Sequence, residues 1–102
     1  MTAKDTNRIN KEEYNMVSQK VTVTNPSGIH ARPASNLCKV AGSCRCDVFL
    51  VVGDKKVQAK SVLNLMAAAI KTGTEVVVEC DGEGEEEALK KVVEAIESGL
   101  GE

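Results

Sequence analysis

Between Cys44–Val52, a run rich in β-branched residues, and the short strand-like run Lys55–Ala59, this chain places only Gly53-Asp54. A Gly-X pair in a two-residue connection is the chemistry of a tight hairpin turn, whose twist suits the strands it joins. Strands joined so closely run antiparallel, because a parallel pair needs a crossover of about a dozen residues. A wholly parallel sheet is therefore excluded.

Around the hairpin the hydrophobic period switches repeatedly. Val17–Thr24 alternates, with Val17, Val21 and Val23 on one face and Ser18, Lys20 and Thr22 on the other, which reads as a strand. Asn25-Pro26-Ser27-Gly28 is dense in turn residues. From Ala31 the period becomes helical: Ala34, Leu37, Cys38 and Ala41 share one face, and Gly42 is the expected C-cap. Ser61 is placed to N-cap a second helix, running to about Lys71 and terminated at Gly73. Thr74–Cys80 is the last strand, with Val76, Val78 and Cys80 facing one way. After the loop Asp81-Gly82-Glu83-Gly84, a helix over about Glu85–Ser98 turns Ala88, Leu89, Val92 and Ile96 inward. Its first turn carries three glutamates at the positive end of the dipole, and Gly99 ends it.

The order β-α-β-β-α-β-α predicts an α+β fold: an open-faced two-layer sandwich with the helices on one face of an antiparallel four-stranded sheet. With Val48 and Leu50 facing the helices, Phe49, Val51 and Val77 form an apolar cluster on the open face. Such a cluster is expected to be a contact surface, covered by residues 1–15 through Tyr14 or by a second copy of the chain.

Length and charge narrow the function. The 102 residues suit one folded domain over 16–102, preceded by a polar extension, 1–15, expected to be flexible. A net charge of −2 supplies no basic field for nucleic acid, and one Phe, one Tyr and no Trp supply no stacking platform. No apolar run is long enough to span a membrane, and the polar N-terminus lacks a secretory signal, so a soluble, cytoplasmic protein is expected. Cys38, Cys44, Cys46 and Cys80 are spaced C-x5-C-x-C with a distant fourth, without the C-x-x-C pair of a zinc knuckle. Core packing suits them better than a metal or redox role. Asp81-Gly82-Glu83-Gly84-Glu85 lacks the ligand spacing of a calcium loop.

The sole histidine, His30, lies in Gly28-Ile29-His30-Ala31-Arg32-Pro33-Ala34. Proline is tolerated in a first helical turn because its missing N–H would lack an intrahelical partner. His30 is thus expected at the start of a helix, where free amides and the dipole favour anions. Imidazole is a nucleophile, so a nucleophile beside an anion cradle is suited to holding a phosphoryl group.

These residues resemble a known family. Gly28-Ile29-His30-Ala31-Arg32-Pro33-Ala34-Ser35, the stretch Gly53–Ser61, and Val62-Leu63-Asn64-Leu65-Met66 are similar to HPr, the histidine-containing phosphocarrier family of the phosphoenolpyruvate-dependent sugar phosphotransferase system. The resemblance runs from about residue 16 to the end and implies the element order derived above. It implies that His30 accepts a phosphoryl group on its δ1 nitrogen from phosphorylated enzyme I and passes it to enzyme IIA. Arg32 would position the phosphate, beside the backbone N–H groups of Ala31 and Arg32. The chain would be a carrier with a phosphohistidine intermediate rather than a stand-alone turnover enzyme, needing no cofactor and no metal.

Ser61 matches the family's regulatory serine, phosphorylated by an ATP-dependent HPr kinase/phosphorylase and read by a transcription factor in carbon catabolite repression. Ala34, Lys39, Lys60, Leu63 and Met66 are the expected partner-binding residues, with Ala31 and Arg32 beside them. Two neighbouring readings stay open: a carrier for a nitrogen-signalling or dihydroxyacetone branch, and a phosphoserine regulatory module. HPr-like modules of the second kind lack the active histidine, which His30 argues against.

Overall fold

A computed structural model describes residues 16–101. Its elements are β1 Val17–Thr22, α1 Ala31–Gly42, β2 Asp47–Val52, β3 Lys55–Gln58, α2 Val62–Ala67, β4 Glu75–Asp81 and α3 Glu85–Glu97. The four strands form one sheet in the order β1-β4-β2-β3, every pair antiparallel. Gly53 turns the β2–β3 hairpin at φ +62°, a conformation that costs glycine little, and Val52 opposes Lys55. All three helices lie on one face, giving the expected open-faced sandwich.

The helix-facing sides of the central strands are sealed. Val48, Leu50, Val76, Val78 and Cys80 have no exposed surface, and they meet Leu37, Leu65, Val92 and Ile96 from the helices. Alternation along β4 is strict: Val76, Val78 and Cys80 are buried, while Val77 and Glu79 on the other face are half-buried. On that open face Phe49, Val51 and Val77 do gather, and Lys56 covers part of them. Its Nζ stands 4.6 Å from the Phe49 ring centroid and 3.3 Å from a Glu79 carboxylate oxygen. The covering role expected of residues 1–15 and Tyr14 lies outside the described residues.

Several boundaries differ from those expected of the sequence. β1 stops at Thr22 rather than Thr24, although buried Val23 still exchanges backbone bonds with Gly73 and Thr74. β2 begins at Asp47 rather than Cys44. Gly42 is the last residue of α1 and is not its cap; Ser43 fills that position in a right-handed conformation, its hydroxyl donating to the Val40 carbonyl at 2.7 Å. Val93 joins the inward face of α3, where Leu89 is only half-buried.

The largest difference is α2, which ends at Ala67 instead of near Lys71. Ala69 adopts φ +53°, a left-handed conformation that L-residues rarely take. The kink drives Ile70 into the core, where it is 4% exposed. Burying that side chain outweighs three alanines' preference for helix. Ala69→Gly is therefore expected to stabilise the protein by about 0.5–1 kcal/mol, since it removes the Cβ penalty and returns only part of it as chain entropy. A higher urea midpoint with an unchanged m-value is the readout.

All four cysteines are free thiols, Cys46 and Cys80 buried, Cys38 and Cys44 half-buried. Burial pushes the Cys80 thiol up to about 12, with the neighbouring Cys46, Cys44 and Glu85 adding to the effect. Burial raises Cys46 too. A group whose pKa is higher folded than unfolded favours the fold below its unfolded value and ceases to as pH rises through the folded one. Stability should hold up to pH 9.0, the reference for Cys80, then fall towards pH 12. Urea titrations across that window test this, and Cys80→Val should flatten part of the decline.

Candidate functional site

The approach to His30 is held by backbone bonds rather than by bulk. Asn25 is 2% exposed, and its Nδ2 donates to the Gly28 carbonyl. The Gly28 N–H donates back to the Asn25 carbonyl at 3.0 Å, and the His30 N–H donates to the Gly28 carbonyl at 3.1 Å. Between them, the Ile29 N–H reaches the Ile70 carbonyl at 2.8 Å, so the end of the α2 turn supports this loop. Gly28 sits at φ +69°, and a Cβ there would lie 2.9 Å from the Lys71 Cα. Only glycine fits both the dihedral and the contact.

His30 is the N-cap of α1, with extended backbone at φ −107° and ψ −161°. Its carbonyl accepts the Ala34 N–H at 2.7 Å, while its side chain makes no capping hydrogen bond. The imidazole is exposed. Helix geometry leaves the amides of Ala31 and Arg32 without intrahelical acceptors, and Pro33 has none to offer. The site is thus an exposed ring beside two outward amides at the positive end of a 12-residue helix, with Arg32 exposed next to it. That set can seat an anion against a ring nitrogen.

Ser61 occupies the N-cap of α2, its hydroxyl accepting the Asn64 N–H at 3.2 Å. The Cys38 thiol donates to the Lys60 carbonyl at 3.2 Å, fixing this end of α2 beside the later turns of α1. Because Ile70 meets Ile29 at the other end, His30 and Ser61 stand at opposite ends of the α1–α2 pair. Between them Leu63, 80% exposed, and Met66, 38% exposed, face solvent together with Lys39.

Two expected docking residues are placed otherwise. Ala34 has no exposed surface: it belongs to the core face of α1, and no partner can touch its side chain. Lys60 is half-buried, its ammonium donating to the Cys44 carbonyl at 3.0 Å, so it does not rim the His30 end. Sequence reasoning missed Asn25 and Ile70. Asn25 resembled any turn residue, and nothing in an alanine-rich helix signals that a carbonyl past its end will brace another loop.

A family model described as the PTS HPr component phosphorylation site matches residues 17–98. The chain belongs to the HPr family. It is similar to the HPr-like protein Crh of Bacillus subtilis (strain 168), 48% identical over 77 residues, 76% of this chain and 91% of that protein. The phosphocarrier protein HPr of Mycoplasma capricolum is 36% identical over 77 residues, 76% of this chain and 86% of that one. Among solved structures, HPr-C-His from Thermoanaerobacter tengcongensis superposes with a TM-score of 0.80 at 34% identity, covering 84% of this chain and 97% of that one. The protein is an HPr-family phosphocarrier, a family that works in general with enzymes of the phosphotransferase system. Among the described residues no helix is long and apolar enough to cross a membrane.

Proposed function

We propose that the chain carries a phosphoryl group on His30, accepting it from phosphorylated enzyme I and donating it to enzyme IIA components of the sugar phosphotransferase system. The observation that supports this most directly is the exposed His30 ring at the N-cap of a long helix, with no hydrogen bond engaging it as a cap. Transfer between two histidines needs in-line placement and charge compensation. The δ1 nitrogen attacks phosphorus as the bond to the donor's histidine breaks, and the arriving charge meets the amides of Ala31 and Arg32 and the Arg32 guanidinium. Reversal with an enzyme IIA histidine as acceptor returns the free ring. Leu63, Met66 and Ala31, with Arg32 and Lys39 at the margin, form the docking surface; an apolar centre with cationic edges suits acidic partners met in turn.

Ser61 is proposed as a regulatory phosphorylation site. Similarity to a solved structure described as Crh, the Bacillus subtilis catabolite repression HPr, favours a regulatory role for this chain. A phosphoserine adds about −1.5 to −2 charge. At the start of α2 that charge suits the helix yet faces any acidic partner seated on Leu63 and Met66. Repulsion then weakens docking with the fold intact.

The test is incubation with phosphoenolpyruvate and enzyme I, followed by intact mass and acid treatment. One acid-labile phosphate is expected, and acid-stable label alone would refute the carrier role. Incubation with ATP and an HPr kinase should place acid-stable phosphate on Ser61, absent from Ser61→Ala.

A further inference from the structure

We propose that Asn25 is a positioning residue for phosphoryl transfer, fixing His30 through the Gly28 carbonyl. This rests on the carrier function proposed above. Asn25 lies in a turn, where a carboxamide ordinarily faces water, yet it is 2% exposed. Burying an amide without partners costs about 1–3 kcal/mol, so the side chain is anchored by what it binds. A carbonyl oxygen has two lone pairs. The Gly28 oxygen receives Asn25 Nδ2 and the His30 N–H, the latter at 3.1 Å. The Gly28–Ile29 peptide plane cannot rotate without breaking both bonds.

Flanking contacts tighten the arrangement. The Gly28 N–H is bound to the Asn25 carbonyl and the Ile29 N–H to the Ile70 carbonyl. Three consecutive amides, 28 to 30, are therefore held from behind, and His30 keeps one extended conformation with its ring outward. The position of that ring relative to the Ala31 and Arg32 amides is set by the same His30 backbone. Freeing the Gly28 peptide moves the nucleophile against its anion seat. Docking changes little, because its apolar centre, Leu63 and Met66, stands on α2, and of the docking residues only Ala31 and Arg32 adjoin the freed peptide. Displacement of about 1 Å at a reacting atom costs up to about a hundredfold in rate. Loss of Asn25 should thus appear in the chemical step and not in partner affinity.

The experiment is single-turnover transfer from phosphorylated enzyme I to the full chain, to Asn25→Ala and to Asn25→Asp, over a range of acceptor concentrations. Asp keeps the shape but cannot donate to the Gly28 carbonyl when ionised. The limiting rate should fall by about tenfold or more, with the half-saturating concentration within about twofold of the parent. Asn36→Ala is the structural control: it removes a bond to the Leu100 carbonyl of 2.7 Å, remote from His30, and should lower the urea midpoint without slowing the limiting rate. A limiting rate within about twofold of the parent in either folded Asn25 variant overturns the proposal, as does an equal slowing in Asn36→Ala. If Asn25→Ala does not fold, the rate of Asn25→Asp alone decides. A parent chain that accepts no phosphate at all would instead overturn the carrier function.

Discussion

His30→Ala should lose all acid-labile phosphate after incubation with phosphoenolpyruvate and enzyme I, while its unfolding free energy from urea titration stays within about 0.5 kcal/mol of the parent. The two halves of this result share a cause. The ring is exposed and caps nothing, so its removal leaves no cavity and no orphaned donor. The carbonyl that starts α1 belongs to the backbone and survives the substitution. Arg32→Ala keeps the nucleophile and should slow transfer without abolishing it, because two amides still face the phosphate. Undiminished acid-labile label in His30→Ala would remove the site from consideration, and a large drop in stability would mean that the ring is structural after all.

Two leucines on one short helix should behave oppositely. Leu65→Ala is expected to cost about 2–5 kcal/mol, the range for emptying a sealed core position. Leu65 has no exposed surface, and α2 is six residues long, too short to persist by its own hydrogen bonds. Leu63, two positions earlier, is 80% exposed, so Leu63→Ala should leave the urea midpoint nearly unchanged. Its effect should be on enzyme I instead, raising the half-saturating concentration for phosphoryl transfer. Urea denaturation and transfer kinetics on both variants give a two-by-two answer. Stability losses of similar size would show that Leu63 packs inward, against its exposed placement.

Much of the fold was legible in the chain because strict periods leave little choice. Val76, Val78 and Cys80 could face only one way, and Gly53-Asp54 could only make a hairpin. His30 stood out by motif. What the chain concealed was decided by contacts distant in sequence. Nothing local ends α2 at Ala67; the demand that Ile70 be buried and brace Ile29 does. Ala34 satisfied two descriptions, core face of a helix and docking neighbour of His30, and its burial in the core settled which one held. Lys60 looked like a free surface cation until the Cys44 carbonyl, brought near by packing of α1 on α2, gave its ammonium a partner.

Pro33 occupies the third position of α1, where most helices would present another main-chain donor. A phosphoryl group carried on His30, as proposed, would consequently be gripped by fewer hands than a helix end can muster. For a courier that is an advantage, since tenacity at pickup becomes delay at delivery. A ring nitrogen held by a fuller set of donors would load readily and then hoard, and the flux through the whole relay would be set by its reluctance to let go.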